Sequence, residues 1–149
     1  MSRPLLFVLL LTLALLQSTL FARYAPWGAA PNLVFVVLFF RCTRCSVQEA
    51  LIWTFTFGLL LDILGMDALG IHALAMIPMV LAAQPLRVRP WAINPVSVMV
   101  LVAMSALFNN LFLSVARGGV GFFDVLIQTT MQLLFVPIIY FIYRRIYKR

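Results

Sequence analysis

The sequence predicts an all-α membrane protein of six transmembrane helices, with both termini on the cytoplasmic side. Two observations predict it. Of 149 residues, 64% are hydrophobic and only 10% charged, whereas soluble domains average about 45–50% apolar and about 25% charged residues. So few charges cannot cover a water-facing surface. The 11 Lys and Arg residues also recur singly or in pairs between apolar runs, which is the pattern of topology signals and anionic-lipid contacts. In a soluble chain a net charge of +7 would point to nucleic acid, but no basic face with interleaved aromatics accompanies it. Membrane lipids are expected partners and nucleic acid is not. Residues 1–149 read as a single polytopic domain, since spans and short turns use nearly every residue.

A span needs about 20 mostly apolar residues. The candidates are about 4–22, 28–40, 47–65, 70–86, 95–116 and 124–143. The first opens like a signal peptide, with Arg3 before the apolar run Pro4–Leu16 and a cleavage-like stretch around Ala22. The run continues to Phe21 and further hydrophobic segments follow, so an uncleaved helix is the preferred reading. The second is the short one. Pro31–Phe40 cannot cross unaided; extension back through Gly28-Ala29-Ala30 lengthens it, and a tilted or partly re-entrant segment stays open.

Orientation follows from the loops. With the N-terminus inside, Arg3, Arg41, Arg44, Arg87, Arg89, Arg144, Arg145, Lys148 and Arg149 are cytoplasmic, leaving only Arg23 and Arg117 outside. The bias repeats at every second loop, and only a crossing second segment makes it consistent. The aromatic residues agree: Tyr24 and Trp27 fall at the outer boundary, and Trp91, Tyr140, Tyr143 and Tyr147 at the inner one.

Polar groups within spans are expensive and each asks for a reason. In the third span Ser46, Ala50, Thr54, Gly58 and Asp62 recur every four residues. They form a small-and-polar stripe suited to close helix packing. Asp62, near the outer end, must be buried between helices, protonated or paired. His72 lies just across the turn Gly65–Gly70 and could face it, with Arg23 and Arg117 as the other candidate partners. A structural pair is favoured over a proton relay. Gln17, Ser18, Thr19, Ser105, Asn109, Asn110, Gln128 and Gln132 also fall in outer halves. An outward cavity, a docking surface or interhelical hydrogen bonds would each explain that bias.

No Ser-His-Asp arrangement or metal cluster is legible, and no catalytic, cofactor-binding or metal-ligating residue and no cofactor is expected. Cys42-Thr43-Arg44-Cys45 is formally a CxxC, but a structural zinc site needs four ligands. In a cytoplasmic loop the two thiols should stay reduced and are read as incidental. Gly118-Gly119-Val120-Gly121 lacks a preceding strand and a phosphate-binding lysine. It reads as a flexible turn before an Asp124 helix cap.

One set of motifs carries a resemblance. Pro31-Asn32-Leu33, a basic loop, then Gly58-Leu59-Leu60-Leu61-Asp62 and Leu69-Gly70 together resemble the MreD family of bacterial rod shape-determining membrane proteins. The family is similar in its proline plus Asp/Asn opening of helix two, its Gly-Leu-x-x-Asp closing helix three, and a Leu-Gly pair opening helix four. The likeness is strongest over residues 31–75 and extends to length, span number and the short basic tail. It implies a non-catalytic scaffold of the peptidoglycan elongation machinery (the elongasome) in the bacterial inner membrane. The implied partners are the bitopic protein MreC, then RodA with its penicillin-binding transpeptidase, and MreB. It also implies a fold similar to the substrate-binding subunits of energy-coupling-factor transporters. Pro31, Asn32, Gly58, Asp62 and Gly70 carry the motif. Thr54, His72, Asn109, Gln128 and Gln132 join them as structural or partner-binding candidates. The alternative function is small-molecule binding as a vitamin-type transporter subunit, weakened because helix one lacks a clear Ala-x-x-x-Ala docking signature; a channel or proton carrier ranks last.

Overall fold

The segment too short to cross alone is the centre of the molecule. In the computed structural model, which describes residues 3–21, 23, 31–88, 94–119 and 121–147, helix α2 runs over Leu33–Cys42. Eight of its ten residues are buried, among them Val34, Phe35, Val36, Leu38 and Phe39 with no exposed surface. An apolar helix without a polar face belongs in a protein core or in a bilayer, and this one is enclosed by protein. Around it stand α1 (Arg3–Leu16, continued as a π-helical turn over Gln17–Phe21), α3 (Val47–Gly65), α5 (Ile77–Val88), α6 (Pro95–Ala116) and α7 (Phe122–Tyr147). A short helix, α4 (Ile71–Ala75), packs on α3 and α6. Among the described residues there is no strand.

Ten residues rise only about 15 Å, half a hydrocarbon core, so the ends of α2 lie inside protein and must be satisfied there. At its start Asn32 accepts from Phe35 N at 3.0 Å, and Gln17 Oε1 reaches across from the π-helical turn to accept from Leu33 N at 3.0 Å. At its end the Thr43 hydroxyl donates to Phe40 O at 2.7 Å.

Four stretches are long and apolar enough to cross a membrane: Val47–Gly65, Ile71–Val88, Pro95–Ala116 and Phe122–Ile142. The first two expected spans correspond to shorter apolar helices, Pro4–Thr19 and Leu33–Cys42. The chain is therefore a multi-pass helical membrane protein. Its exposed surface carries Leu5, Val8, Ile52, Phe55, Met104 and Phe141, all more than half exposed, which acyl chains solvate and water would not.

Several boundaries differ from expectation. The expected fourth span, 70–86, is divided at Met76 into α4 and α5. Pro78 is the reason: it has no N–H for the carbonyl of Leu74, and its ring crowds that carbonyl. The sixth helix starts at Phe122, not at residue 124. Asp124 therefore lies in its first turn, favourable to the helix dipole, and is not the cap. The preceding turn is defined by conformation: Gly118 and Gly119 both have φ of +91°, which glycine alone adopts without strain. Tyr140 packs near Phe40, with ring centroids 6.2 Å apart. Gly28, Ala29, Ala30, Tyr24, Trp27, Arg89, Trp91, Lys148, Arg149 and the side chains of Tyr143 and Tyr147 lie outside the described residues.

Candidate functional site

The stripe read on the third span is the buried face of α3. Ala50, Thr54, Gly58 and Asp62 are all buried, while Ser46 stands outside the helix as its N-cap and accepts from Glu49 N. Small residues along this face let α4 come close. A side chain at Gly58 would meet the backbone of Ala73, whose Cα lies 2.5 Å from the place of the missing Cβ.

Asp62 closes this face and has no exposed surface. Its Oδ2 accepts from Gly70 N at 2.7 Å and its Oδ1 from His72 N at 3.0 Å, with His72 Nδ1 at 2.8 Å. Its own carbonyl accepts from Asp67 N at 3.0 Å. Met66 takes the left-handed conformation that ends α3, and Gly70, with φ of 96°, opens α4. One carboxylate thus satisfies the free amides at the start of the next helix and holds the corner between the two. A carboxylate buried without partners would be very costly; this one has three.

The corner is tied outward as well. Asp67 Oδ2 lies 3.8 Å from His72 Nδ1, and Arg117 grips Asp67 by Nε at 3.1 Å and Nη2 at 2.6 Å. Arg117 caps the end of α6, so the chain Asp62–His72–Asp67–Arg117 fastens the α3–α4 corner to that helix. The His72 partner expected for Asp62 is there. Of the two other candidate partners, Arg23 is exposed, and Arg117 binds Asp67 instead, because Asp67 projects from the corner toward the α6 terminus.

A second polar cluster joins α6 to α7. Asn110 Nδ2 donates to Thr129 Oγ1 and to Gln132 Oε1, each at 3.0 Å, and Asn109 Nδ2 donates to Asn110 Oδ1 at 3.3 Å. All four residues are buried, and Asn109 Oδ1 is buried without a partner. Of the candidates here, Asn109 and Gln132 come together, whereas Gln128 is half-buried and does not join them. Pro31 and Asn32 belong to neither cluster; they set the entry to α2. Thr54 meets the Cys42 thiol at 3.9 Å.

Sequence reasoning missed Asp67 and Thr129; it placed Asn110 and Gln17 among the outer-half polar residues without assigning Asn110 to this cluster or Gln17 to the start of α2. The four-residue spacing of Val125, Thr129 and Leu133 on an otherwise apolar face was an available signal for Thr129. Nothing local indicated the partner of Gln17, which lies 16 residues on. At the opposite end from Arg117, Arg41 Nη2 pairs with Glu49 Oε1 at 2.9 Å and joins α2 to α3. Among the described residues no group of three or more His, Cys, Asp or Glu could hold a metal ion.

Fold and site together define a multi-pass helical membrane protein whose buried polar groups clasp its own helices to one another. Residues 2–146 match the family model of the rod shape-determining protein MreD. The chain belongs to the MreD family and is thereby a rod shape-determining membrane protein. No curated protein and no solved structure matches it.

Proposed function

We propose that this protein is a non-catalytic scaffold subunit of the bacterial cell-wall elongation machinery, crossing the inner membrane six times with both termini inside and binding MreC. The single observation that carries this reading is the family match across residues 2–146. The geometry supports it: Asp62 is bonded to His72 and to the amides of Gly70 and His72, and Arg117 to Asp67, as parts of a clasp are. Six crossings are supported by the basic residues Arg41, Arg44 and Arg87 lying at alternate turns from Arg117. RodA, its penicillin-binding transpeptidase and MreB are the further partners of this reading, and a fold like that of energy-coupling-factor substrate-binding subunits belongs to it.

The test is an affinity pull-down of tagged protein from gently solubilised membranes, with co-purifying proteins identified by mass spectrometry. Recovery of MreC and the wall synthases is expected. Recovery of a paired ATPase with its coupling protein would replace the scaffold by the substrate-binding subunit of a vitamin-type transporter.

A further inference from the structure

A crevice of about 330 Å³ opens on the surface of α3 beside the break between α4 and α5. Thr54 and Ala73, both buried, form its floor, and Leu51, Phe55 and Ile77, all exposed, form its walls. Its origin is local. Gly58 brings Ala73 against the backbone of α3, and the chain breaks at Met76, one residue before Ile77. The crevice offers an occupant little hydrogen bonding. On its edge the Thr56 hydroxyl donates to Ile52 O at 2.8 Å, and Thr54 meets the Cys42 thiol. An apolar guest fits and a polar one would lose its hydrogen bonds to water.

The apolar wall leads along α5 to a charge. Leu81 and Val88, four and eleven residues beyond Ile77, share its face and are exposed. Arg87 stands next to Val88, about 15 Å beyond Ile77 at the rise of an α-helix, which is the depth of one leaflet's hydrocarbon. It is exposed and has no ion-pair or hydrogen-bond partner among the described residues. Three of the four carboxylates are engaged elsewhere: Asp62 with His72, Asp67 with Arg117, and Glu49 with Arg41. One turn deeper than Arg87, Gln84 keeps a buried Nε2 with no acceptor.

An apolar crevice that ends one leaflet away at an unpaired cation matches a molecule with the same two parts. We propose that an anionic phospholipid binds here, one acyl chain in the crevice between α3 and α4–α5 and its phosphate on Arg87. Gln84, its side chain rotated outward, donates to an ester carbonyl between the two. A zwitterionic lipid brings the same chain and phosphate but also a cation that the guanidinium repels, so the anionic lipid is preferred.

The experiment takes the purified full-length protein in mild detergent and adds phosphatidylglycerol carrying a photoreactive diazirine in mid-chain. After irradiation the adducts are mapped by peptide mass spectrometry. They are expected on residues 51–56 and at Ile77, displaced by excess phosphatidylglycerol and not by phosphatidylcholine. Arg87→Gln should lower them about fivefold, the effect of one basic residue at a lipid surface, and Arg87→Lys should restore most of the loss. Arg145→Gln, which removes an exposed cation on α7, should change nothing. Equal loss in Arg87→Gln and Arg145→Gln would mean diffuse attraction and would overturn the proposal. So would adducts spread evenly over the exposed faces of α6 and α7, or equal displacement by phosphatidylcholine. A crevice without adducts would overturn it too, and in protein that runs as a dimer would give the crevice to a second copy of the chain.

Discussion

The Cα of Ala73 lies 2.5 Å from the point where a Cβ on Gly58 would stand, and the Ala73 amide nitrogen lies 2.7 Å from it. The obstacle is backbone, so no rotamer change relieves it. In Gly58→Ala a helix gains about 1 kcal/mol of intrinsic propensity, but forcing two packed elements apart costs about 1–3 kcal/mol. Crowding wins here because α4 is also pinned by Asp62 and cannot slide freely. Gly58→Ala should unfold more readily than wild type in a denaturing-detergent titration, and Gly58→Leu more readily still. A wild-type midpoint for Gly58→Leu would show that α4 floats on α3.

Asp62→Ala should be more damaging than Asp62→Asn. Alanine leaves the buried amide of His72 without an acceptor, at about 1–3 kcal/mol, and the half-buried amide of Gly70 at less. Asparagine keeps one acceptor oxygen but turns an NH2 toward the other amide, so it restores only part of the clasp. The readout is detergent-denaturation stability, with proteolysis at the 66–70 corner as a local probe. Equal, severe loss in both variants would mean that the charge facing His72 outweighs the amide bonds. No loss in either would remove Asp62 from the structural account.

How far these contacts were legible depended on their separation along the chain. Asp62 and His72 flank one short turn, so their meeting followed from a helical hairpin alone. The buried stripe on α3 followed from four-residue spacing. Arg117 and Asp67 are 50 residues apart, and their pairing depends on where α6 ends beside the corner, which no local pattern encodes. Residues 31–40 looked like a weak span because hydropathy measures length and not enclosure. The break before Pro78 does not show in hydropathy, which runs smoothly through it; the missing proline N–H is its only sign in the sequence.

The seam between α6 and α7 should show coupling between Asn110 and Gln132. Each single change, Asn110→Leu or Gln132→Leu, strands the partner's polar group in an apolar interior, whereas the double change removes both. Interhelical hydrogen bonds within membranes are worth about 0.6 kcal/mol on average and up to about 1.7. A double-mutant cycle on unfolding free energy should therefore return a coupling of about 1 kcal/mol. Strict additivity would mean that Thr129, which also receives the Asn110 amide at 3.0 Å, satisfies Asn110 alone.

Cys45 should react with a small alkylating agent at a rate that climbs as pH rises through about 7, well below the 9.0 of an ordinary thiol. The sign follows from what faces it. Cys42 donates a hydrogen bond that favours the thiolate, Arg41 adds positive charge, and Glu49 and burial oppose both. Only the thiolate is nucleophilic, so the rate is low while the thiol is protonated and levels off once it has ionised. In Cys42→Ala the hydrogen bond is gone, and the rise should move to higher pH with a lower rate at neutrality. In Arg41→Gln the shift should have the same direction but smaller size. A pH profile of iodoacetamide labelling on the folded protein, read by peptide mass spectrometry at Cys45, measures all three. An unchanged profile in Cys42→Ala would show that the two sulfurs do not communicate.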